Sequence, residues 1–368
     1  MSSNPRFHTL KITRVSAEAA GSVAIAFDIP KELGEVFTFT PGQYLTLRAS
    51  IEGVDVRRSY SICSTPSHLV TQSELVVGIR PMEGGVFSNW AVNSLKAGDS
   101  IQVMTPQGRF VSTKPRALHR VGFAAGSGIT PILSIMASTL ETQPDAKFTL
   151  IYGNRSMASV MFNESLQDLK DLYPGRLTLI HILSRQAQEA DLLQGRIDEA
   201  KVKALIDALL PVKSMDEVFI CGPEAMIETT ERTLIAAGVP ENRIHSERFT
   251  SPTLEKLSSV DRQAAVANHH KEVVKGDISL TVVLDGKQHE LSMSADEMVL
   301  DVALAAGLDL PYSCKGGVCS TCRVKVLDGS VEMEKNFGLE KWETEQGFVL
   351  SCQAHPTSDK VAVSFDER

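Results

Sequence analysis

Four cysteines near the C-terminus, Cys314, Cys319, Cys322 and Cys352, follow the spacing C-x4-C-x2-C-x29-C. Four thiolates so spaced are the ligand set of a [2Fe-2S] cluster, a centre that passes electrons singly. The surrounding run, Pro-Tyr-Ser-Cys-Lys-Gly-Gly-Val-Cys-Ser-Thr-Cys, suits a loop that wraps two bridged irons closely and turns backbone N–H groups toward sulfur. Gly316 and Gly317 permit that backbone, and the small polar neighbours Ser313, Ser320 and Thr321 suit the hydrogen bonding that tunes such a centre. A structural zinc site and a set of buried free thiols are the alternatives. Zinc sites commonly pair two C-x-x-C knuckles, and this chain has one.

The other two of the six cysteines, Cys63 and Cys221, do not make a disulfide framework in a chain of 368 residues. That length predicts two or three domains, and a hydrophobic fraction of 43% is ordinary for a globular protein. The N-terminal stretch lacks the apolar run of a secretory signal, and no segment approaches the ~20 apolar residues that span a bilayer. The expected location is the cytoplasm, with no membrane partner. The formal net charge of −8 is uneven: residues 276–368 carry 16 acidic and 8 basic side chains, and the preceding residues carry 29 of each. An acidic field around the cysteines would steer that segment toward a basic docking surface and argues against nucleic acid as a partner. Ordinary surface solubility is the alternative reading of the same charge.

The chain divides into distinct patterns. Residues 1–114 read as short alternating runs such as Tyr44-Leu45-Thr46-Leu47 and Leu75-Val76-Val77-Gly78-Ile79, broken by Pro and Gly, which predicts an antiparallel β-barrel. Residues 115–250 alternate apolar runs at 120–124, 148–152, 177–181 and 217–220 with helical segments such as 164–173 and 200–210. This predicts an α/β domain with a parallel sheet. Residues 251–275 are rich in Ser and charge and read as a linker, with His269 and His270 solvated in it. Residues 276–368 open with a hairpin signal at Asp285-Gly286. Ser294-Ala-Asp-Glu297 is then a capping box ahead of a helix at 298–306 that Gly307 ends. Asp328-Gly329 predicts a second hairpin joining Val324 and Val326 to Val331 and Met333. Together these predict the small α+β, β-grasp plan of a ferredoxin.

Arg58-Ser59-Tyr60-Ser61 is an R-x-Y-S motif, and Gly84-Gly85-Val86-Phe87-Ser88 follows it. Together they resemble the FAD-binding motifs of the ferredoxin-NADP reductase family, and the resemblance implies Arg58 paired with a phosphate, Tyr60 stacked on the isoalloxazine and Ser61 hydrogen-bonded near its reactive N5. Gly84 and Gly85, leading through Val86 to Ser88, offer backbone N–H groups and the positive end of a helix to a pyrophosphate. Further on, Ala125-Gly126-Ser127-Gly128-Ile129-Thr130-Pro131 lies between an apolar strand and an apolar helix. It lacks the third glycine of G-x-G-x-x-G, so alone it is a poor dinucleotide fingerprint. Its glycines still let a dinucleotide approach the backbone, and Pro131 suits the first turn of the helix. Tyr152-Gly-Asn154-Arg155 and Cys221-Gly222-Pro223-Glu-Ala-Met226 each follow a strand, where open α/β sheets place ligands.

In this order the motifs resemble the FAD- and nicotinamide-binding motifs of the ferredoxin-NADP reductase family, and the likeness runs over essentially the whole chain. The resemblance implies that Cys221 sits beside the nicotinamide and that Glu247 and Phe249 close over the flavin, with Ser61 completing the catalytic set. Members similar to the chloroplast enzyme end with this aromatic, whereas here 119 residues follow Phe249. Ser184 and Arg185 fall where NADPH-using relatives hold the 2′-phosphate, so NADPH is expected over NADH, with Arg155, Arg176 and Arg196 as competing cations. The order flavin domain, nicotinamide domain, ferredoxin is that of the reductase components of bacterial oxygenases. Within that group, Arg-Arg-Ser-Tyr-Ser-Ile-Cys-Ser, Ile-Tyr-Gly-Asn-Arg-Ser and His-Ile-Leu-Ser-Arg, with Leu-Gln-Gly-Arg-Ile-Asp, look most like the reductases of di-iron oxygenases, and this resemblance implies a partner that acts on an aromatic acyl-CoA in phenylacetate catabolism. The alternatives are another di-iron or Rieske oxygenase as partner, or a redox carrier or sensor without turnover.

Overall fold

The computed structural model describes residues 6–114, 116–249 and 277–367. The expected linker at 251–275, with His269 and His270, lies outside the described residues. In the first part, period-two alternation builds an antiparallel sheet from β1 (Phe7–Ala17), β2 (Val23–Asp28), β3 (Tyr44–Ile51), β4 (Val54–Ser61), β5 (Glu74–Ile79) and β6 (Ser100–Met104). Their order is β4-β3-β6-β1-β2-β5. The two edge strands are drawn together where Ile62 bridges Val77, which curls the sheet into a barrel around Ile25, Phe27, Leu45, Leu47, Val77 and Phe87. Two helices, α1 (Pro66–Gln72) and α2 (Val86–Ser94), flank β5.

The second part is a parallel sheet of β7 (His119–Ala125), β8 (Lys147–Asn154), β9 (Leu177–Leu183), β10 (Glu217–Cys221) and β11 (Ile244–Glu247), in the order β11-β10-β7-β8-β9. Its helices are α3 (Ile129–Thr142), α4 (Asn163–Leu172), α5 (Glu199–Ala208) and α6 (Glu224–Ala236). The first of these, α3, is apolar on nearly every face because it is sandwiched. The sheet residues Phe148, Leu150 and Phe219 share one core with it, and so do Ala24, Ala26, Cys63 and Val76 of the barrel. Cys63 is therefore a small core residue at the seam between the two domains, as its burial requires.

The third part pairs β12 (Ile278–Leu284), β13 (Lys287–Met293), β14 (Arg323–Asp328), β16 (Phe348–Leu350) and β18 (Lys360–Ser364) in the order β13-β12-β18-β14-β16, with β12 and β18 parallel. The helix α7 (Val299–Ala305) packs Val299, Leu300 and Ala303 into the core beneath, which completes the β-grasp arrangement. Asp285 and Gly286, at φ of 51° and 72°, make the left-handed two-residue turn that the β12–β13 hairpin demands. Two local expectations are corrected. Ser294 N–H does bond the Glu297 carboxylate at 2.7 Å, but Met298 is extended and the helix starts at Val299, so the pair closes a turn ahead of the helix. Asp328-Gly329 closes no hairpin, because β14 already has β16 on one side and β18 on the other. The following β15 (Val331–Met333) instead pairs with β17 (Ala354–Pro356) in a separate ribbon.

Candidate active site

The four cysteines are gathered by the loop before β14 and by the turn after β16. Their thiols meet in two pairs, Cys314 with Cys319 and Cys322 with Cys352. Among the described residues no three His, Cys, Asp or Glu donors converge as one ion would need. Two sulfurs per metal is the arrangement a two-iron cluster requires, and a mononuclear zinc site needs four donors about one point. Lys315, Gly317 and Ser320 are left-handed in this loop, and the Gly317 N–H bonds the Cys352 thiol. Gly316 N–H reaches Cys314 Sγ at 3.3 Å, and Gln353 Nε2–H reaches Cys352 Sγ at 3.8 Å. The contact from the Cys319 thiol and the backbone N–H groups of Gly316, Val318 and Cys319 lower the Cys314 thiol below its ordinary range, against burial that raises it. The donor set and its N–H groups fit a [2Fe-2S] cluster.

The flavin motifs lie on β4 and at the start of α2. Strand alternation sends Arg58 and Tyr60 to the same face, and the Tyr60 ring meets Phe87 of α2 at 5.7 Å between centroids. That places the Tyr60 side chain beside the helix end that Gly85 caps. A Cβ at Gly85 would lie 2.5 Å from Ser88 Oγ, so a side chain here would displace the Ser88 hydroxyl. The Ser88 hydroxyl accepts the Met82 N–H at 3.2 Å and thereby holds this turn in shape, while Val86 is exposed at the helix end. Ser59 points the other way and bonds Ser313 of the third domain. A phosphate-sized anion is suited by Arg58, the Gly84-Gly85 backbone and the positive end of α2.

The remaining expected residues collect at the C-terminal edge of the parallel sheet. Cys221 and Glu247 are register neighbours on β10 and β11, and Ser61 Oγ donates to Glu247 Oε2 at 3.1 Å across the domain boundary. Burial pushes the Glu247 carboxyl up to about 8, against the hydrogen bond from Ser61, so at neutral pH it keeps its proton. Gly126, Gly128 and Gly222 form a side-chain-free floor beside this trio. A Cβ at Gly128 would collide with the Cys221 carbonyl, and one at Gly222 would lie 2.6 Å from Met226 Cε. Thr130 Oγ1 donates to Ser127 O at 3.0 Å and Pro131 is buried, so both shape the first turn of α3. Pro223 occupies the position just before α6 in extended backbone. Asn154 is buried at the end of β8, with its side-chain amide beside the Tyr152 hydroxyl. Ser184 N–H and Arg185 N–H bond the carbonyls of Asn154 and Arg155 at 2.9 and 2.8 Å, which sets two exposed arginines side by side. Arg176 is removed from contention, since its guanidinium caps the C-terminal carbonyls of α3 at the opposite edge. Phe249 is 39% exposed. These features fit a dinucleotide laid across the sheet edge with its reactive end at Cys221, Glu247 and Ser61.

Replacing Gly128 by Ala should raise the KM for nicotinamide nucleotide about tenfold or more, the equivalent of ~1.4 kcal/mol, because overpacking against backbone cannot relax by a rotamer change. Initial rates across a nucleotide titration check this, and an unchanged KM would place the dinucleotide elsewhere.

Sequence reasoning missed Tyr44, Arg57, Arg80 and Arg109. Arg80 lies against Gly126, and a Cβ there would come within 2.7 Å of its Nη1. The other three reach from the barrel into the third domain: Tyr44 to the cluster loop, Arg57 to Leu310 and Asp309, and Arg109 to the buried Glu343 of α8 (Lys341–Glu345). No local pattern marks these three, since their partners are more than 200 positions away.

A nicotinamide edge, a flavin strand and a cluster loop meeting in one chain define an oxidoreductase that takes electrons from a nicotinamide nucleotide through FAD to a [2Fe-2S] centre. Family descriptions agree domain by domain: an oxidoreductase FAD-binding domain at residues 10–111, an oxidoreductase NAD-binding domain at 123–232 and a 2Fe-2S iron-sulfur cluster binding domain at 282–357. The E component of 1,2-phenylacetyl-CoA epoxidase from Escherichia coli K12 is 45% identical over 98% of each chain. The ferredoxin reductase component of 3-ketosteroid-9-alpha-monooxygenase from Rhodococcus rhodochrous is 36% identical over 97% of this chain and 96% of its own. Among solved structures, phthalate dioxygenase reductase superposes with a TM-score of 0.59 at 20% identity, covering 98% of both chains, and supports the fold. The chain belongs to the ferredoxin-NADP reductase family, among the oxygenase reductase components that carry a C-terminal [2Fe-2S] domain. Among the described residues no helix is long and apolar enough to cross a membrane.

Proposed function

We propose that this reductase draws on NADPH in preference to NADH and serves an oxygenase of the 1,2-phenylacetyl-CoA epoxidase type, a di-iron enzyme acting on an aromatic acyl-CoA in phenylacetate catabolism. The observation that carries the reductase reading is the Ser61–Glu247 hydrogen bond, which joins the flavin strand to the nicotinamide edge beside Cys221. When bound, FAD would supply the acceptor for one hydride and the means to release its two electrons singly to a [2Fe-2S] centre. Cys221 and Glu247 orient the nicotinamide, Ser61 holds the acceptor side, and the protonated Glu247 keeps the contact free of negative charge. Phe249, two residues beyond Glu247, covers the flavin until the nicotinamide takes its place. Asn154, Arg155, Ser184 and Arg185 receive the adenosine end. Two adjacent exposed cations there favour the extra 2′-phosphate of NADPH.

The partner reading rests on the 45% identity to the epoxidase component along nearly the whole chain. The acidic third domain is its docking surface, steering a basic face of the oxygenase toward the cluster. The reading places the protein in the cytoplasm, where nicotinamide stays reduced and free thiols persist.

Anaerobic stopped-flow mixing with each nucleotide tests the cofactor reading. Flavin bleaching followed by cluster bleaching, faster with NADPH, is expected. Arg185→Ala should narrow the NADPH advantage about tenfold, the loss of one charge-assisted contact worth roughly 1.5 kcal/mol. NADH performing equally well in the parent protein would overturn the preference. Reconstitution with a phenylacetyl-CoA-type and a ketosteroid-type oxygenase separates the partner readings.

A further inference from the structure

The residues of β4 divide by parity. Arg58 and Tyr60 lie on one face, with Tyr60 beside α2, while Arg57, Ser59 and Ser61 lie on the other. That second face, continued by Arg48, Thr46 and Tyr44 in register on β3, is turned toward the cluster domain. Arg57, 3% exposed, donates to Leu310 O at 3.1 Å and Asp309 Oδ1 at 3.2 Å, and its guanidinium lies 4.2 Å from the Tyr312 ring. Ser59 bonds Ser313 at 2.9 Å and Thr46 at 3.2 Å. Tyr44, directly across the ladder from Ser61, donates its hydroxyl to the carbonyl of Cys319 and meets Thr321 Oγ1 at 2.9 Å. Its ring is packed against Gly108, where an added Cβ would lie 2.8 Å from Tyr44 Cδ1.

We propose that Tyr44 is a positioning residue for electron transfer between the flavin and the cluster: with Arg57 and Ser59 it docks the cluster loop in register on the flavin strand, one residue across from Ser61. This rests on the reductase reading above. Alternation makes one strand serve two partners, so the cluster cannot shift on the barrel without breaking hydrogen bonds at fixed rungs of β3 and β4. The Tyr44 bond ends on the peptide that follows an iron ligand, so the ring ties the Ser61 rung to the cluster loop without touching either cofactor's reacting atoms. Each hydride, taken up with one solvent proton, brings two electrons. Two crossings follow, each converting one ferric iron to ferrous and returning one proton to solvent, the first electron having moved on to the partner before the second crosses.

The test is Tyr44→Phe in the FAD- and cluster-loaded protein, which keeps the ring packing and removes the hydroxyl. Anaerobic mixing with NADPH should show cluster bleaching slowed about five- to tenfold relative to flavin bleaching in the same trace, the fold-change of about one net hydrogen bond. Amide hydrogen exchange at residues 318–323 should accelerate, and the cluster potential, read by spectroelectrochemistry, should stay in place. An unchanged ratio of the two phases overturns the proposal, and so does a slowed phase accounted for by a shifted potential. If Tyr44→Phe fails to fold, Arg57→Lys, which loses the planar fork but keeps the charge, is held to the same outcomes. If neither NADPH nor NADH bleaches the flavin of the parent protein, the reductase reading itself falls, a result distinct from a slow second phase.

Discussion

Cys319→Ser should abolish electron delivery to cytochrome c or to an oxygenase while nicotinamide-dependent ferricyanide reduction survives. The hydroxyl is a harder, less acidic donor than a thiolate, and it stands in the pair that Cys314 and Cys319 form at one iron position. The backbone at 319 keeps its carbonyl, so the contact from Tyr44 remains available and the flavin strand is not disturbed. Ferricyanide accepts electrons at the flavin, upstream of the lesion, and cytochrome c depends on the cluster. Parallel assays, with the visible and electron paramagnetic resonance signals of the cluster as controls, decide the matter. Equal loss of both activities would mean that the cluster domain is needed for the hydride step as well.

The second large effect lies far from the cofactors. Glu217, fully buried at the start of β10, accepts the N–H groups of Thr113 and Lys114 at 2.8 and 3.1 Å, the Ser112 hydroxyl at 2.6 Å and Arg120 Nε at 2.8 Å. It therefore knots the connection leaving the barrel to the base of the parallel sheet. Arg120, itself buried, also reaches Gln143 beyond α3 at 2.9 Å. Glu217→Ala should destabilise the nucleotide domain by about 3–5 kcal/mol, because it leaves a buried guanidinium and two backbone N–H groups short of an acceptor. The midpoint of guanidinium-induced unfolding of that domain measures it, and a loss below ~1 kcal/mol would show that Arg120 is satisfied without the carboxylate.

The same residue sets an acid limit. Burial alone would raise the Glu217 carboxyl, but hydrogen bonds from His245, Ser112, Arg120 and the Thr113 N–H outweigh it and hold the group at about 2, below its ordinary 4.5. A depressed carboxyl stabilises the fold above its unfolded value and loses that contribution as pH falls through the folded one. The contribution, on the order of 3 kcal/mol, should be complete above about pH 4.5 and lost progressively toward pH 2, and Glu217→Ala should flatten that part of the stability profile.

Whatever a short window of residues can encode was legible without the fold. Cysteine spacing named the cluster because one loop supplies three of its ligands. Alternation and strand–helix succession specified three architectures because the side chains of one element choose its buried face. Glycines at 85, 126, 128 and 222 marked the phosphate and nucleotide turns because backbone must pass there without a Cβ. Even the misjudged turn at Asp328-Gly329 follows this logic: its local signal was correct for a reversal, but only the sheet records that both edges of β14 were already taken. The meeting of one domain with another was settled by packing alone. Tyr44 carries no motif, the run that contains Arg57 says nothing of the third domain, and Glu217 read as the first residue of an ordinary strand. Their roles arise from partners such as Cys319, Leu310 and Thr113, brought within hydrogen-bonding distance by the packing of whole domains. A hydrogen bond acts over about 3 Å in space whatever the separation along the chain, so pairings of this kind leave no mark in any local stretch of residues.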